Sequence, residues 1–116
     1  MNLETISIKQ DRNLFMIVLI IGILTNFIVI SANGYLMPVK SGYHFETNIH
    51  MGYDKIDEVK FWQLSDIIGF NTKKSMIRWS IGDMIIILAL LGLGITNFKL
   101  IRKSQNTMKV KDGQRM

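Results

Sequence analysis

The residues best suited to carry chemistry in this chain are two aspartates, Asp66 and Asp83. Two neighbouring carboxyl groups can share a proton and activate a water molecule, one acting as base and the other as acid. Such a pair works only if the two groups converge to within a few ångströms, and the sequence does not fix that distance. Asp66 also suits a solvated surface position, because exposed aspartates are common. Both aspartates are therefore catalytic candidates, with a structural alternative for each.

The alternative for Asp83 comes from the segment Ser80-Ile81-Gly82-Asp83, which has the spacing of a helix capping box. In that motif the serine oxygen accepts a backbone hydrogen bond, and the acidic side chain returns to the amide of the capping residue. A carboxylate at this point also interacts favourably with the helix dipole. An ionisable group inside an apolar helix is nevertheless a functional candidate, because burying its charge is costly.

Other catalytic and ligand-binding patterns are weak. A loose set of possible metal ligands, His44, Glu46, His50 and Asp54, lacks an established ligand spacing, so no metal site is predicted. The sequence contains no cysteine, which excludes disulfides and thiolate chemistry. It also lacks a glycine-rich phosphate loop and a nucleophile elbow, and no cofactor is predicted.

Two apolar stretches must position these residues, one at 14–32 and the other at 80–98. At 1.5 Å per residue each covers roughly 28 Å, close to the thickness of the hydrocarbon core of a bilayer. The first run is long for a signal peptide and lacks an A-x-A cleavage site, which disfavours cleavage. The net charge of +5 comes mainly from lysines and arginines beside these stretches, so lipid is predicted as a partner and nucleic acid is not.

The sequence therefore predicts an all-α membrane protein built as a two-span antiparallel helical hairpin. Its segments are a cytoplasmic arm (1–13), a first transmembrane helix (14–32), an extracytoplasmic loop (33–79), a second transmembrane helix (80–98) and a basic cytoplasmic tail (99–116). The outer loop is rich in aromatic residues and is expected to be partly ordered. Phe61, Leu64 and Ile68 have helical spacing and predict a short helix lying flat in the interface. The expected location is the plasma membrane, with both termini in the cytoplasm.

Asn26 lies deep in the first apolar stretch, on one helical face with Gly22 and Asn33. Antiparallel packing would bring Asn26, Asn33 and Asp83 into one neighbourhood. Gly22, Gly92 and Gly94 would allow the helices to approach closely. An asparagine in this setting either holds two helices together or contributes to a binding site, and both interpretations stay open.

Four segments in this order resemble an uncharacterised family of small bacterial membrane proteins, mainly from Gram-positive lineages. They are Asn33-Gly34-Tyr35-Leu36-Met37-Pro38-Val39, then His50, then Trp62-Gln63-Leu64-Ser65-Asp66-Ile67-Ile68, and finally Ser80-Ile81-Gly82-Asp83. The family shows similar N-G-G-x-M-P-V, H, L-G-D-I-I-P and S-I-G-D motifs. The resemblance singles out Asn33, Met37, Pro38, Val39, His50, Asp66, Ser80, Gly82 and Asp83.

The chain departs from that pattern in three places. Tyr35 stands where the family tends to have a second glycine, and Ser65 and Gly69 replace a glycine and a proline around the aspartate. The additional N-terminal helices of fuller members are also missing. The chain is therefore expected to be a short form, with a membrane-protein partner or a second copy as candidates to complete the bundle.

The favoured function is a non-enzymatic binding or accessory subunit that uses its outer loop. The binding candidates are Asn26, Asn33, Met37, Pro38, His50, Ser80 and Gly82. The alternative is an intramembrane hydrolase dependent on Asp66 and Asp83, similar to lipoprotein signal peptidase in layout alone. A toxin-like peptide that permeabilises membranes is disfavoured, because such peptides seldom need a long structured loop.

Overall fold

The computed structural model describes residues 2–72 and 75–115. These residues form two α-helices, α1 (Leu3–Ala32) and α2 (Ile81–Arg115), with five short β-strands between them. The strands are β1 (Met37–Lys40), β2 (Phe45–Glu46), β3 (His50–Tyr53), β4 (Ile68–Asn71) and β5 (Met76–Trp79), with 3-10 turns at Ile56–Glu58 and Trp62–Leu64. We call residues 33–79 the cap.

Both helices extend past the apolar stretches into polar sequence. Helix α1 begins after Asn2, whose side chain accepts a hydrogen bond from the Thr5 amide at 2.9 Å. This contact satisfies one of the free amides that every helix start leaves. Helix α1 ends at Ala32 with Asn33 as its C-capping residue, and Gly34 then turns the chain into the cap with a φ of 71° that a glycine adopts without strain.

The two helices pack antiparallel along their length. Lys103 Nζ lies 2.8 Å from Glu4 Oε2 at one end, and Phe15 packs against Gly92 further along. Near the cap, a Cβ built on Gly22 would lie only 2.8 Å from Ile86 Cγ1, so that contact depends on a glycine. The predicted close approach at Gly22 and Gly92 is thus confirmed.

Gly94 was predicted to share this role, and that prediction is wrong. A Cβ built on Gly94 would meet no atom within 4 Å. It lies two residues beyond Gly92, and residues two apart on a helix do not share a face.

Most large apolar side chains of both helices face outward. In the middle of α1, for example, Leu24 is 52% exposed and Phe27 is 59% exposed. Both helices are long and apolar enough to cross a membrane. Few of their apolar residues are buried within the chain, unlike those of a core helix in a globular protein.

The cap is a β-structure, so the predicted all-α fold is wrong. Strand β3 lies at the centre of a three-stranded sheet, parallel to β1 and antiparallel to β2. Strands β4 and β5 form a separate antiparallel hairpin. A further bridge joins Val39 of β1 in parallel to Asp66, which extends the first sheet on the side away from β3. Met37, Pro38 and Val39 of β1 are buried and form the centre of the cap.

The predicted interfacial helix over Phe61, Leu64 and Ile68 is also wrong. Phe61 adopts a left-handed conformation with φ 55°, and only one 3-10 turn follows it. Ile68 begins β4 and pairs with Trp79, while Gly69 has a φ of 149° that does not fit a helix. A helix over three apolar residues at helical spacing is too short to be stable by itself. Pairing between the alternating apolar residues of β4 and β5 is more favourable for this segment.

Candidate functional site

A polar cluster joins the two helices just below the cap. Asn26 Nδ2 donates a hydrogen bond to Asp83 Oδ1 at 2.8 Å, and Ser80 Oγ donates to Asn26 Oδ1 at 2.7 Å. Ser80 is fully buried and Asn26 and Asp83 are partly buried. The predicted proximity of Asn26 and Asp83 is therefore confirmed, whereas Asn33, predicted to share this neighbourhood, bonds Lys60 of the cap instead.

Ser80 and Asp83 also form the predicted capping box at the start of α2. The Asp83 amide donates to Ser80 Oγ at 3.0 Å, and the Ser80 amide donates to Asp83 Oδ2 at 3.2 Å. Both carboxylate oxygens of Asp83 thus accept hydrogen bonds, one from Asn26 of α1 and one from the Ser80 amide within the capping box of α2. Asp83 therefore stabilises the helix start and the contact between the helices at the same time.

Gly82 lets this cluster form. A Cβ built on Gly82 would overlap the side-chain amide of Asn26 and would lie 2.9 Å from the Gly22 carbonyl. Glycine at position 82 allows Asn26 to reach Ser80 and Asp83 at hydrogen-bonding distance. The structure thus brings four of the predicted site residues, Asn26, Ser80, Gly82 and Asp83, into one contact.

Asp66 lies in the cap, where two backbone hydrogen bonds fix it beside β1. The Asp66 amide donates to the Pro38 carbonyl at 2.9 Å, and the Lys40 amide donates to the Asp66 carbonyl at 3.0 Å. The residue is only 5% exposed. Its Oδ1 atom is buried and has no hydrogen-bond partner among the described residues. A buried polar atom without a hydrogen bond lowers the stability of the folded protein. Asp66 therefore differs from most buried polar side chains, which are hydrogen-bonded.

Burial raises the pKa of Asp66 to about 7, and the nearby negative charge of Asp83 contributes to the same shift. Both effects disfavour the ionised carboxylate. His50 Nε2 lies 3.7 Å from Asp66 Oδ2, beyond normal hydrogen-bond distance. The His50 side chain is 38% exposed, so it gives this part of the cap contact with solvent.

Tyr53 and Ser65 form a buried polar pair that the sequence analysis missed. The Tyr53 hydroxyl and Ser65 Oγ lie 2.7 Å apart, and both residues are fully buried. Burial raises the pKa of Tyr53, and the charge of Asp66 raises it further, while the hydrogen bond to Ser65 acts against that shift. Tyr53, three residues after His50, gave no signal by itself, because its partner comes from another part of the cap.

The remaining candidates have positions that suit structural roles. The Asn33 side chain donates to the Lys60 carbonyl at 2.9 Å and accepts from the Lys60 amide at 3.0 Å, which ties the end of α1 to the cap. Met37 is buried and its amide donates to the Ile49 carbonyl at 2.9 Å. Pro38 is fully buried and supplies the carbonyl that holds Asp66.

The two histidines of the loose metal set lie beside different carboxylates. His44 Nδ1 is 3.4 Å from Glu58 Oε2, whereas His50 lies beside Asp66. Within residues 2–72 and 75–115, no three His, Cys, Asp or Glu side chains come together as a group that could hold a metal ion.

The chain thus has two helices, each long and apolar enough to cross a membrane, which a polar cluster joins to each other and which carry a small β-cap at one end. The chain belongs to a family of unknown function (DUF5317), which it matches over residues 3–96. This confirms the predicted membership of an uncharacterised family. No curated protein and no solved structure matches the chain.

Proposed function

We propose that this chain is an integral membrane protein of the plasma membrane whose cap serves as a binding or accessory module on the outer side. Two features support membrane insertion. Both helices expose their apolar side chains along the middle of the hairpin. Apart from Asp83 of the polar cluster, the first charged residues beyond the cap end are Arg12 on α1 and Lys99 on α2, about 30 Å from the cap at 1.5 Å per residue.

Charge supports the orientation with the cap outside. The helix ends far from the cap carry Lys9 and Arg12 on α1, together with the basic residues of α2 after Phe98. An excess of lysine and arginine close to the membrane favours the cytoplasmic side. The lysines and arginines of the cap are balanced by its acidic residues, which gives a weaker signal.

The single observation that carries a binding role is that Oδ1 of Asp66 is buried and has no hydrogen-bond partner in the part of the chain that the structure describes. A donor from a ligand or partner would satisfy this oxygen and remove the cost of burying it unpaired. The partly exposed His50 beside it adds a second polar group within reach of that ligand. Backbone hydrogen bonds to β1 hold Asp66 in position, as a preorganised site requires.

Photo-crosslinking in native membranes tests this role. A photoreactive amino acid at Ile49, which is exposed and adjacent to His50, reports what approaches Asp66. We expect one defined crosslinked product, and we expect its loss in Asp66→Asn at equal protein abundance. Asp57→Asn is the matched control, because it neutralises an exposed carboxylate elsewhere in the cap. An unchanged product in Asp66→Asn would exclude a binding role for this site.

A hydrolase dependent on Asp66 and Asp83 is the second candidate. It is favoured by the pKa of Asp66, which suits a general acid or base near neutral pH, and by the influence of Asp83 on it. It is disfavoured by the two hydrogen bonds that already occupy the Asp83 carboxylate. If the chain is such a hydrolase, Asp66→Asn and Asp83→Asn should each abolish the cleavage of membrane-embedded peptide substrates while protein abundance stays unchanged. If Asp83→Asn instead lowers only abundance, its role is structural.

A further inference from the structure

The β4–β5 hairpin of the cap has one apolar face. Its register pairs Ile68 with Trp79 and Phe70 with Ile77. Directly paired residues of antiparallel strands lie on the same face, and residues two apart on a strand share that face as well. These four large apolar side chains therefore lie together. Phe70 is 61% exposed, and Ile68 and Trp79 are also exposed.

The opposite face of the hairpin lacks a large apolar cluster: Gly69 and Asn71 are exposed there, and Arg78 contacts the first sheet. It carries the pairs Gly69–Arg78 and Asn71–Met76. Arg78 Nε donates to the Lys40 carbonyl of β1 at 3.2 Å, which holds this face against the first sheet. That contact lies on the face opposite Ile68 and Phe70, and the rest of the cap leaves these two apolar side chains exposed.

The end of the hairpin formed by Ile68 and Trp79 lies where α2 begins. Trp79 immediately precedes Ser80, the capping residue of α2. Two further exposed aromatic residues lie at the same level, Tyr35 just after α1 and Phe61 beside the Lys60–Asn33 contact. Tryptophan and tyrosine collect at this depth in membrane proteins, because their rings suit the boundary between hydrocarbon and headgroups.

We propose that the apolar face of the β4–β5 hairpin lies in the headgroup region of the membrane that the helices cross, so that lipid is its occupant. This inference rests on the membrane insertion proposed above. Continuity supports lipid over another occupant, since the exposed apolar surface of α2 begins at Ile81, two residues after Trp79 at the edge of this face. Apolar side chains in that position penetrate the headgroup boundary by about 5–10 Å.

Lipid quenching of tryptophan fluorescence tests the inference in vesicles of phosphatidylcholine with and without bromine on the acyl chains near the headgroup. The protein contains two tryptophans, and Trp62→Phe with Trp79→Phe gives a background without them that keeps both positions aromatic. Phe70→Trp then reports the apolar face, and Asn71→Trp is the matched control on the opposite face. Leu24→Trp, in the middle of α1, reports whether the helices are in lipid at all.

We expect brominated lipid to reduce Phe70→Trp emission about twofold and to leave Asn71→Trp nearly unchanged. Quenching of Leu24→Trp without quenching of Phe70→Trp would overturn the inference and leave membrane insertion intact. Absence of quenching at all three positions would overturn both. A third outcome is that neither lipid nor aqueous quenchers reduce Phe70→Trp emission and that the emission changes with protein concentration. This would show that a second copy of the chain covers this face, which also overturns the inference.

A second measurement covers the case in which the tryptophan-free background does not fold. The chain has no cysteine, so Phe70→Cys and Asn71→Cys can each carry a single spin label with both native tryptophans present. We expect the label at position 70 to collide more with oxygen, which concentrates in lipid, and the label at 71 to collide more with a water-soluble nickel complex. Equal accessibility at the two positions would contradict a lipid-facing hairpin.

Discussion

Neutralising Asp66 should remove a pH dependence from the stability of the cap. Its pKa is raised from 3.8 to about 7 in the folded protein, first by burial and then by the charge of Asp83. A group whose pKa is raised on folding binds its proton more tightly in the folded state. Its contribution to stability is therefore complete below about pH 4 and is lost as the pH rises through about 7. Above that pH the folded cap holds a buried carboxylate whose Oδ1 has no hydrogen-bond partner within residues 2–72 and 75–115.

The size of this effect follows from the shift. One pKa unit corresponds to 1.36 kcal/mol, so a rise from 3.8 to about 7 corresponds to an upper bound of about 4 kcal/mol. Between pH 5 and pH 8 the wild-type cap should lose about 2–3 kcal/mol, which is roughly a hundredfold change in an opening equilibrium. Asp66→Asn has no charge at this position and should lose little over the same interval.

Amide hydrogen exchange in nanodiscs measures this opening directly. The Lys40 amide is the best reporter, because it donates to the Asp66 carbonyl at 3.0 Å. After correction for intrinsic exchange, its protection should fall steeply between pH 5 and pH 8 in the wild type and stay nearly constant in Asp66→Asn. His50→Gln is the matched control, since it removes the neighbouring titratable group and should keep the steep fall. Wild-type protection that rises with pH, or an equal fall in Asp66→Asn, would refute this explanation.

Three further substitutions test the contacts that hold the fold, each by thermal unfolding in detergent. Gly82→Ala should destabilise the hairpin by about 1–3 kcal/mol because the added methyl group overlaps the facing asparagine, whereas Gly94→Ala meets open space and should be neutral or stabilising. Ser80→Ala should cost about 1–2 kcal/mol because it removes both the helix cap and a hydrogen bond to α1, and Ser80→Thr should recover much of that loss. Tyr53→Phe should cost about 1 kcal/mol by breaking a buried hydrogen bond, with no effect on the pH dependence described above. A Gly94→Ala variant as unstable as Gly82→Ala, or a stable Ser80→Ala or Tyr53→Phe, would contradict the corresponding contact.

The helices and their polar junction could be predicted because local sequence determines them. A long run without charge predicts a spanning helix, and the three-residue spacing from Ser80 to Asp83 predicts a helix capping box that the structure contains. Asn26 stood out because an amide is unusual in an apolar stretch, and antiparallel packing then brought it to Asp83.

The β-structure of the cap could not be predicted in the same way. Its strands have two to four residues each, which is too short for an alternating pattern to differ from a single helical turn. The central pairing of β1 with β3 is also non-local. Local spacing therefore favoured a helix at Phe61, Leu64 and Ile68, whereas pairing with β5 placed Ile68 in a strand.

The environment of Asp66 depends on the same non-local contacts. The carbonyl that accepts the hydrogen bond from its amide belongs to Pro38, and the imidazole 3.7 Å from its carboxylate belongs to His50. The sequence singled out all three residues but gave no reason to place them together. The Tyr53–Ser65 pair was missed because neither residue is unusual in a polar loop.

The most direct test of a cap held outside the membrane by a two-helix hairpin is cysteine labelling in intact cells. Glu46→Cys places a thiol in β2 of the cap and Ser104→Cys places one on α2 at the opposite end, and neither competes with a native cysteine. We predict that a membrane-impermeant maleimide labels position 46 in intact cells and labels position 104 only after permeabilisation. Labelling of position 104 alone in intact cells, or recovery of both variants in the soluble fraction, would contradict the proposed arrangement.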